Sequence, residues 1–197
     1  VSLVSAVTGF EHDLGELCTL AHAHGALVYA DIIQAAGAVP IDVKASGVDF
    51  AACGTYKWLM GDFGTAFLYV RPDRLDRLTR RQVGWRQLRQ YEGHVLPYEP
   101  PGPALGTYQL ASGAAGLFEV GTPAWAALAC VVGSLDYIES LGVEAIMRYR
   151  QPLLQQLQST LPPLGFTALT PPDSRGPIVA FACKDAEKRF AARLRAE

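Results

Sequence analysis

The sequence predicts an α/β fold: a mainly parallel sheet with crossover helices, followed by a helix-rich α+β segment. Three observations carry this. Short apolar, β-branched runs alternate with an amphipathic stretch through residues 1–70, the pattern of strands joined by crossovers. Glycine, proline or aspartate stands at the end of each run, where a chain that must turn needs them. From Pro123 the apolar spacing becomes helical and stays so beyond residue 160.

Val1 to Val7 reads as a first strand, closed by Thr8-Gly9. Asp13 is placed to cap a helix, and Glu16, three residues on, completes a capping box. Leu14, Leu17, Leu20 and Ala21 share one face of that helix, and Gly25 suits its C-terminal end. Ala26 to Ala30 is a short buried strand that ends at Asp31. Gly37 and Pro40 turn the chain, and Gly47-Val48-Asp49 leads into a third strand, Phe50 to Cys53. Gly64 to Val70 is a fourth strand, and Arg71-Pro72 closes it.

Residues 71–116 show no sustained period, so they predict a short helix followed by long ordered loops. Arg71, Arg74, Arg77, Arg80, Arg81, Arg86 and Arg89 are interleaved with acidic residues, which reads as a solvated face. Pro97, Pro100, Pro101 and Pro103 follow. Ala127, Cys130, Val131, Leu135 and Ile138 then recur at helical spacing as far as Leu141-Gly142. A second amphipathic helix is expected from Val143 to Leu161, with Pro152 as its kink. Ile178 to Cys183 reads as a strand and Ala186 onward as a helix. The chain opens inside an apparent strand without Met and closes inside a helix, so part of a longer protein is expected, with sheet edges left unpaired.

Composition narrows the function classes. With 50% hydrophobic and 18% charged residues, the 197-residue chain can bury a core. A formal charge of -2 gives no basic field for nucleic acid. No apolar run reaches membrane-spanning length, and the start lacks the features of a signal peptide. Cys18, Cys53, Cys130 and Cys183 stand singly in apolar segments, which predicts four buried thiols and a cytoplasmic protein. His12, His22, His24 and His94 have no metal-ligand spacing, so no metal is expected.

Three residues carry chemistry in the parallel part: Asp31 at the end of one strand, Gln34 just after it, and Lys57 just past another. Ligands of open α/β sheets lie outside the carboxyl ends of the strands, so the three are expected to meet at one edge. A carboxylate, an amide and an amine together suit pyridoxal 5'-phosphate. The carboxylate keeps the pyridine nitrogen protonated. The amide can hydrogen-bond the phenolic oxygen, and the amine can form a Schiff base.

The run from Val28 to Val70, VYADIIQAAGAVPIDVKASGVDFAACGTYKWLMGDFGTAFLYV, resembles the core of class V aminotransferases, the group that includes cysteine desulfurases, isopenicillin N epimerase and kynureninase. Asp-x-x-Gln after a strand, Pro-x-Asp-Val, Gly-x-Asp-Phe, Lys-Trp and a glycine-rich turn occur in the family's order. Downstream, Phe118-Glu119-Val120-Gly121-Thr122-Pro123 is similar to the family's F-E-x-G-T segment. The resemblance implies a fold-type I pyridoxal-phosphate enzyme, with residues 1–130 as the later half of the large domain and residues 131–197 as the start of the small domain. It implies that Lys57 carries the cofactor, that Asp31 pairs with the pyridine nitrogen and Gln34 with the phenolic oxygen. Thr122 would reach the phosphate of the partner subunit in a homodimer.

Two positions depart from the family's Ser-x-His-Lys pattern, since this chain has Gly54-Thr55-Tyr56-Lys57. Thr55 or Tyr56 must then replace the phosphate-binding serine. Tyr56 in place of the desulfurase histidine points toward an aminotransferase or epimerase acting on a small amino acid. Desulfurase, selenocysteine lyase and kynureninase-like lyase remain alternatives, although kynureninases carry histidine where this chain has Gln34. Ala6 stands where many members have asparagine. A nucleotide-binding domain would need G-x-G-x-x-G after a strand, and the sequence has none. A non-catalytic fragment of the family is the remaining alternative. Taken singly, Asp31 reads as a turn cap, Lys57 as a surface lysine, and Thr122 as the cap of the next helix with Pro123 at its first position. Trp58, Phe63 and Phe67 read as core, and Cys183 as a structural thiol inside its strand.

Overall fold

The computed structural model describes residues 1–89 and 109–195. Contacts within the chain group it into two compact units, Val1–Leu68 with Trp125–Glu197, and Tyr69–Ala124. This grouping is separate from the large-domain and small-domain division expected near residue 130, which is a matter for the complete protein.

In the first unit, Asp13 accepts the Glu16 N–H at 2.9 Å and starts α1 (Leu14–Ala23) as its spacing predicts. The helix ends with Gly25 at φ +71°. Gly25 N–H bonds the His22 carbonyl and Ala26 N–H the Ala21 carbonyl, the paired bonds of a Schellman cap. β1 (Tyr29–Asp31) pairs in parallel with β2 (Phe50–Gly54), with Tyr29 opposite Phe50 and Asp31 opposite Ala52. β3 (Ala66–Val70) is the other neighbour of β2. The core beneath them includes Val4, Ala30, Ala35, Val39, Val48, Ala51 and Cys53.

The fully buried Asp49 joins helix to sheet. Its Oδ2 accepts Val28 N–H at 2.7 Å and lies 2.9 Å from His22 Nε2 on α1. A carboxylate taken out of water needs such partners. The expected first strand, Val1–Val7, is reduced to two bridges: Ser2 parallel to Asp31, and Val4 antiparallel to Glu11. Ser5 is the reason. Its hydroxyl accepts Thr8 N–H at 3.1 Å while its backbone N–H meets the Phe10 carbonyl at 2.8 Å, so a local turn replaces the ladder.

α3 (Trp125–Leu141) and α4 (Val143–Thr160) meet at Gly142, whose φ is +79°. Pro152 lies inside α4 and leaves the Arg148 carbonyl without its helical donor. α4 has no buried residue and is tied down by polar side chains instead. Arg150 donates to the Ala38 carbonyl at 3.0 Å and the Arg175 carbonyl at 2.8 Å, and Gln151 to the Ser174 carbonyl at 2.9 Å.

The strand expected at Ile178–Cys183 shrinks to β5 (Phe181–Ala182), which pairs antiparallel with β4 (Thr167–Ala168). Ala180 stays beside β4, its N–H on Thr170 Oγ1 at 2.8 Å and its carbonyl on Leu169 N–H at 2.9 Å, while the Ile178 carbonyl lies where a Cβ on Gly9 would stand. Thr170 Oγ1 donates to the Thr8 carbonyl at 2.5 Å and Ser174 Oγ to the Gly9 carbonyl at 2.7 Å. α5 (Ala186–Leu194) follows. Of the four thiols expected to be buried, only Cys18 and Cys53 are. Cys130 is exposed and Cys183 partly so, because β5 is too short to enclose it.

In the second unit, 3-10 turns at Pro72–Arg77 and Trp85–Gln87 precede α2 (Gly113–Phe118). Arg80 departs from the solvated face expected of the arginines. Its guanidinium donates to the Gly116 and Ala111 carbonyls around α2. The fully buried Gln87 accepts Gly84 N–H at 2.9 Å and donates to the Leu117 carbonyl at 2.9 Å. His94 and the prolines at 97, 100, 101 and 103 lie outside the described residues.

Candidate functional site

Two turns meet where β1 and β2 end. Past Asp31 the ladder continues for one more bond, from Ile32 N–H to the Ala52 carbonyl at 2.9 Å. The chain then coils tightly, with Ala35 and Ala36 N–H both on the Ile32 carbonyl. Gln34 sits in this coil. The chain leaving β2 passes through Thr55, Tyr56 and Lys57 into a second turn, closed by Met60 N–H on the Lys57 carbonyl at 2.9 Å and Gly61 N–H on the Thr55 carbonyl at 2.8 Å.

The turns touch backbone to backbone. Gly37 has φ +85°, and a Cβ added there would stand 2.6 Å from the Trp58 carbonyl oxygen. Their side chains also meet: the Trp58 indole N–H donates to Gln34 Oε1 at 3.2 Å. The Asp31 carboxylate is exposed at the same edge and accepts Ile33 N–H at 3.0 Å. Cys53, buried in β2, registers both charges. Its thiol is pushed up to about 11 by burial and by the Asp31 carboxylate, while the Lys57 ammonium opposes the rise. Asp31, Gln34 and Lys57 are thus brought to one edge.

Thr55 and Tyr56 separate in role. Thr55 is buried, and its hydroxyl is directed at the Asp62 and Thr65 carbonyls at 3.2 and 3.0 Å. Its N–H also donates to the Thr65 carbonyl, at 3.1 Å, so the chain leaving β2 returns beside it as β3. Tyr56 is exposed and stacks on Phe63, with ring centroids 4.9 Å apart. A Cβ on Gly54 would lie 2.9 Å from the Tyr56 ring and 3.1 Å from Ile33 Cδ1. The two departures from the family pattern are therefore coupled, since the tyrosine ring covers the position where a serine side chain would start.

Trp58, Phe63 and Phe67 were expected in the core, yet they are 37%, 74% and 44% exposed. They line the turn and the returning strand rather than filling the interior. Sequence reasoning thereby missed Trp58 as a partner of Gln34. The only available signal was its place beside Lys57. Thr122 is exposed in the second unit. The next helix begins at Trp125, so the capping position falls to Ala124, not Thr122.

The donor set fits pyridoxal phosphate. A carboxylate, an amide and a primary amine at one edge match its ring nitrogen, phenolic oxygen and aldehyde carbon.

The sequence model of the aminotransferase class-V family matches residues 1–196. The chain belongs to this family. Pyridoxal phosphate is the cofactor of aminotransferase class-V proteins, and the related structure of C-DES, in a mutant form, holds glycine covalently linked to it. A cysteine desulfurase of Escherichia coli strain SE11 is 32% identical over 186 residues, which are 92% of this chain and 41% of that protein. The apo cysteine desulfurase of Thermococcus onnurineus NA1 superposes with a TM-score of 0.82 at 26% identity, over 100% of this chain and 46% of that one. The cystine C-S lyase C-DES, in complex with its product cysteine persulfide, shares the fold with a TM-score of 0.79 at 23% identity, over 99% of this chain and 50% of that one. This class-V chain thus spans less than half the length of the curated relatives it matches. The expected fold-type I architecture holds. The weight between reactions shifts, however, and the desulfurase alternative has better support than the aminotransferase or epimerase to which Tyr56 pointed.

Proposed function

We propose that this chain supplies the cofactor-attachment half of a pyridoxal-phosphate enzyme of cysteine desulfurase type, acting on a small sulfur-containing amino acid. The observation that carries this reading is the docking of the two turns, which gathers Asp31, Gln34 and Lys57 around the end of β2. The similarity to cysteine desulfurases supports the choice of substrate class.

When bound, pyridoxal phosphate supplies an electron sink for negative charge at the amino acid's Cα. Asp31 holds a proton at the ring nitrogen. Gln34 donates an amide N–H to the phenolic oxygen. The Lys57 amine would be the attachment point and, when free, would take and return the Cα proton. Thr55 acts through the turn it closes, which leaves Tyr56 as the neighbour of Lys57 placed to touch cofactor or substrate. Thr122 serves the phosphate of a partner subunit in a homodimer. Residues 1–130 belong to the large domain and residues 131–197 to the small one. The protein is cytoplasmic. Among the described residues no single helix is long and apolar enough to cross a membrane.

Tyr56 favours a second reading, an aminotransferase or epimerase. Incubating the cofactor-loaded full-length protein with cysteine separates the two. The desulfurase reading predicts alanine and released sulfur, both abolished in Lys57→Ala. A 2-oxo acid or an inverted amino acid, with no sulfur release, supports the second reading. Loaded protein that yields none of these leaves the non-catalytic alternative.

A further inference from the structure

An amide has two unlike arms, an oxygen that accepts and a nitrogen that donates. Only the nitrogen arm stabilises negative charge on a phenolic oxygen, and the oxygen arm repels it. The reading above therefore depends on which way Gln34 is turned. Trp58 decides this. An indole N–H can only donate, and it lies 3.2 Å from Gln34 Oε1. With the oxygen arm held by the indole, the nitrogen arm is the one left to face a ligand. No partner among the described residues takes Gln34 Nε2. The Trp58 backbone is fixed, because its carbonyl lies against Gly37 and its turn is closed by the Lys57–Met60 and Thr55–Gly61 bonds.

We propose that Trp58 is a positioning residue that orients the Gln34 amide so that it meets the cofactor's phenolic oxygen as a donor. The inference rests on the cofactor assignment of the preceding subsection and adds to it the residue that sets the polarity of one contact. Donation to the phenolic oxygen draws its charge away from the neighbouring Lys57 nitrogen, which then holds its proton less tightly. Removing the indole N–H frees the amide to turn, and the Lys57 nitrogen keeps its proton to higher pH.

The test is a pH titration of the visible absorbance of the cofactor-loaded full-length protein. Trp58→Phe keeps an aromatic ring but no N–H, and it is expected to raise the midpoint by about one pH unit, the scale of one hydrogen bond to a charged acceptor. Gln34→Glu still accepts from Trp58 but cannot donate to the phenolic oxygen, and it raises the midpoint as well. In a Gln34→Ala background, Trp58→Phe adds no further shift. An unmoved midpoint in Trp58→Phe overturns the proposal, and so does an equal shift with and without Gln34. A wild-type protein with no visible band, or a band that titrates with the same midpoint in Lys57→Ala, overturns the cofactor assignment and this inference with it. A normal band with an unmoved midpoint overturns the inference alone.

Discussion

The contact between the two turns can be tested through Gly37→Ala, because Gly25 provides a matched control. Both glycines have left-handed backbones, φ +85° and φ +71°. An alanine in that region costs about 1 kcal/mol of backbone strain wherever it stands. At Gly25 nothing lies within 4 Å of the added Cβ, so strain is the whole effect. At Gly37 the Cβ would stand 2.6 Å from the Trp58 carbonyl oxygen and 3.1 Å from Leu59 Cδ2. The first contact is with backbone and cannot be relieved by a rotamer change. Forcing an extra carbon into a packed contact adds roughly 1–3 kcal/mol, so Gly37→Ala should cost about 2–4 kcal/mol in all. It should also displace Trp58, next to Lys57, and weaken cofactor retention, which Gly25→Ala leaves alone. Urea denaturation of the full-length variants, with retained cofactor absorbance as a second readout, makes the comparison. Equal loss of stability in the two variants would refute the docking of the turns.

Three further outcomes are expected. Gly54→Ser restores the family's serine but drives its Cβ into the Tyr56 ring, so it should destabilise alone and recover in Gly54→Ser/Tyr56→His; additive losses by thermal melt would contradict the coupling. The Cys53 thiol keeps its proton to about 11, against an ordinary 9.0. The folded state binds the proton more tightly, so stability should fall as pH rises through that window. At about pH 8 iodoacetamide should modify the exposed Cys130 and spare Cys53, and peptide mapping that finds Cys53 labelled first would count against its burial. Asp42 is held below its ordinary 3.8 by the Ala45 and Lys44 N–H groups, each at 2.8 Å. Its contribution is present above the ordinary value and is lost as pH falls through the lowered one. Asp42→Asn should therefore flatten the acid limb of the stability curve, and an unchanged limb contradicts that role.

Features set by neighbouring residues were legible in the sequence. The Asp13–Glu16 cap and the Gly25 ending of α1 depend on a few adjacent backbone groups, and both stand where spacing put them. β2 and β3 are bounded by their glycines and by Arg71. The meeting of Asp31, Gln34 and Lys57 followed from strand order alone, since parallel strands place their carboxyl ends together. What escaped was non-local. The apolar run Ile178–Cys183 looks like a strand by composition, but the Ile178 carbonyl packs against Gly9, far earlier in the chain, and only Phe181–Ala182 pair as a strand. Trp58 looks like core because tryptophan usually is, and only the folded chain shows its indole turned to Gln34. The coupling of Gly54 to Tyr56 was likewise invisible, because two departures from a pattern do not announce that one fills the space of the other.

The central claim is that Lys57 is the residue that takes the cofactor. The most direct measurement is borohydride reduction of the loaded full-length protein, followed by proteolysis and mass spectrometry. The account predicts a reduced pyridoxyl group on the peptide that spans Lys57, and none on the other lysines. The same group on a different lysine, or a loaded protein with no adduct at Lys57, would contradict it.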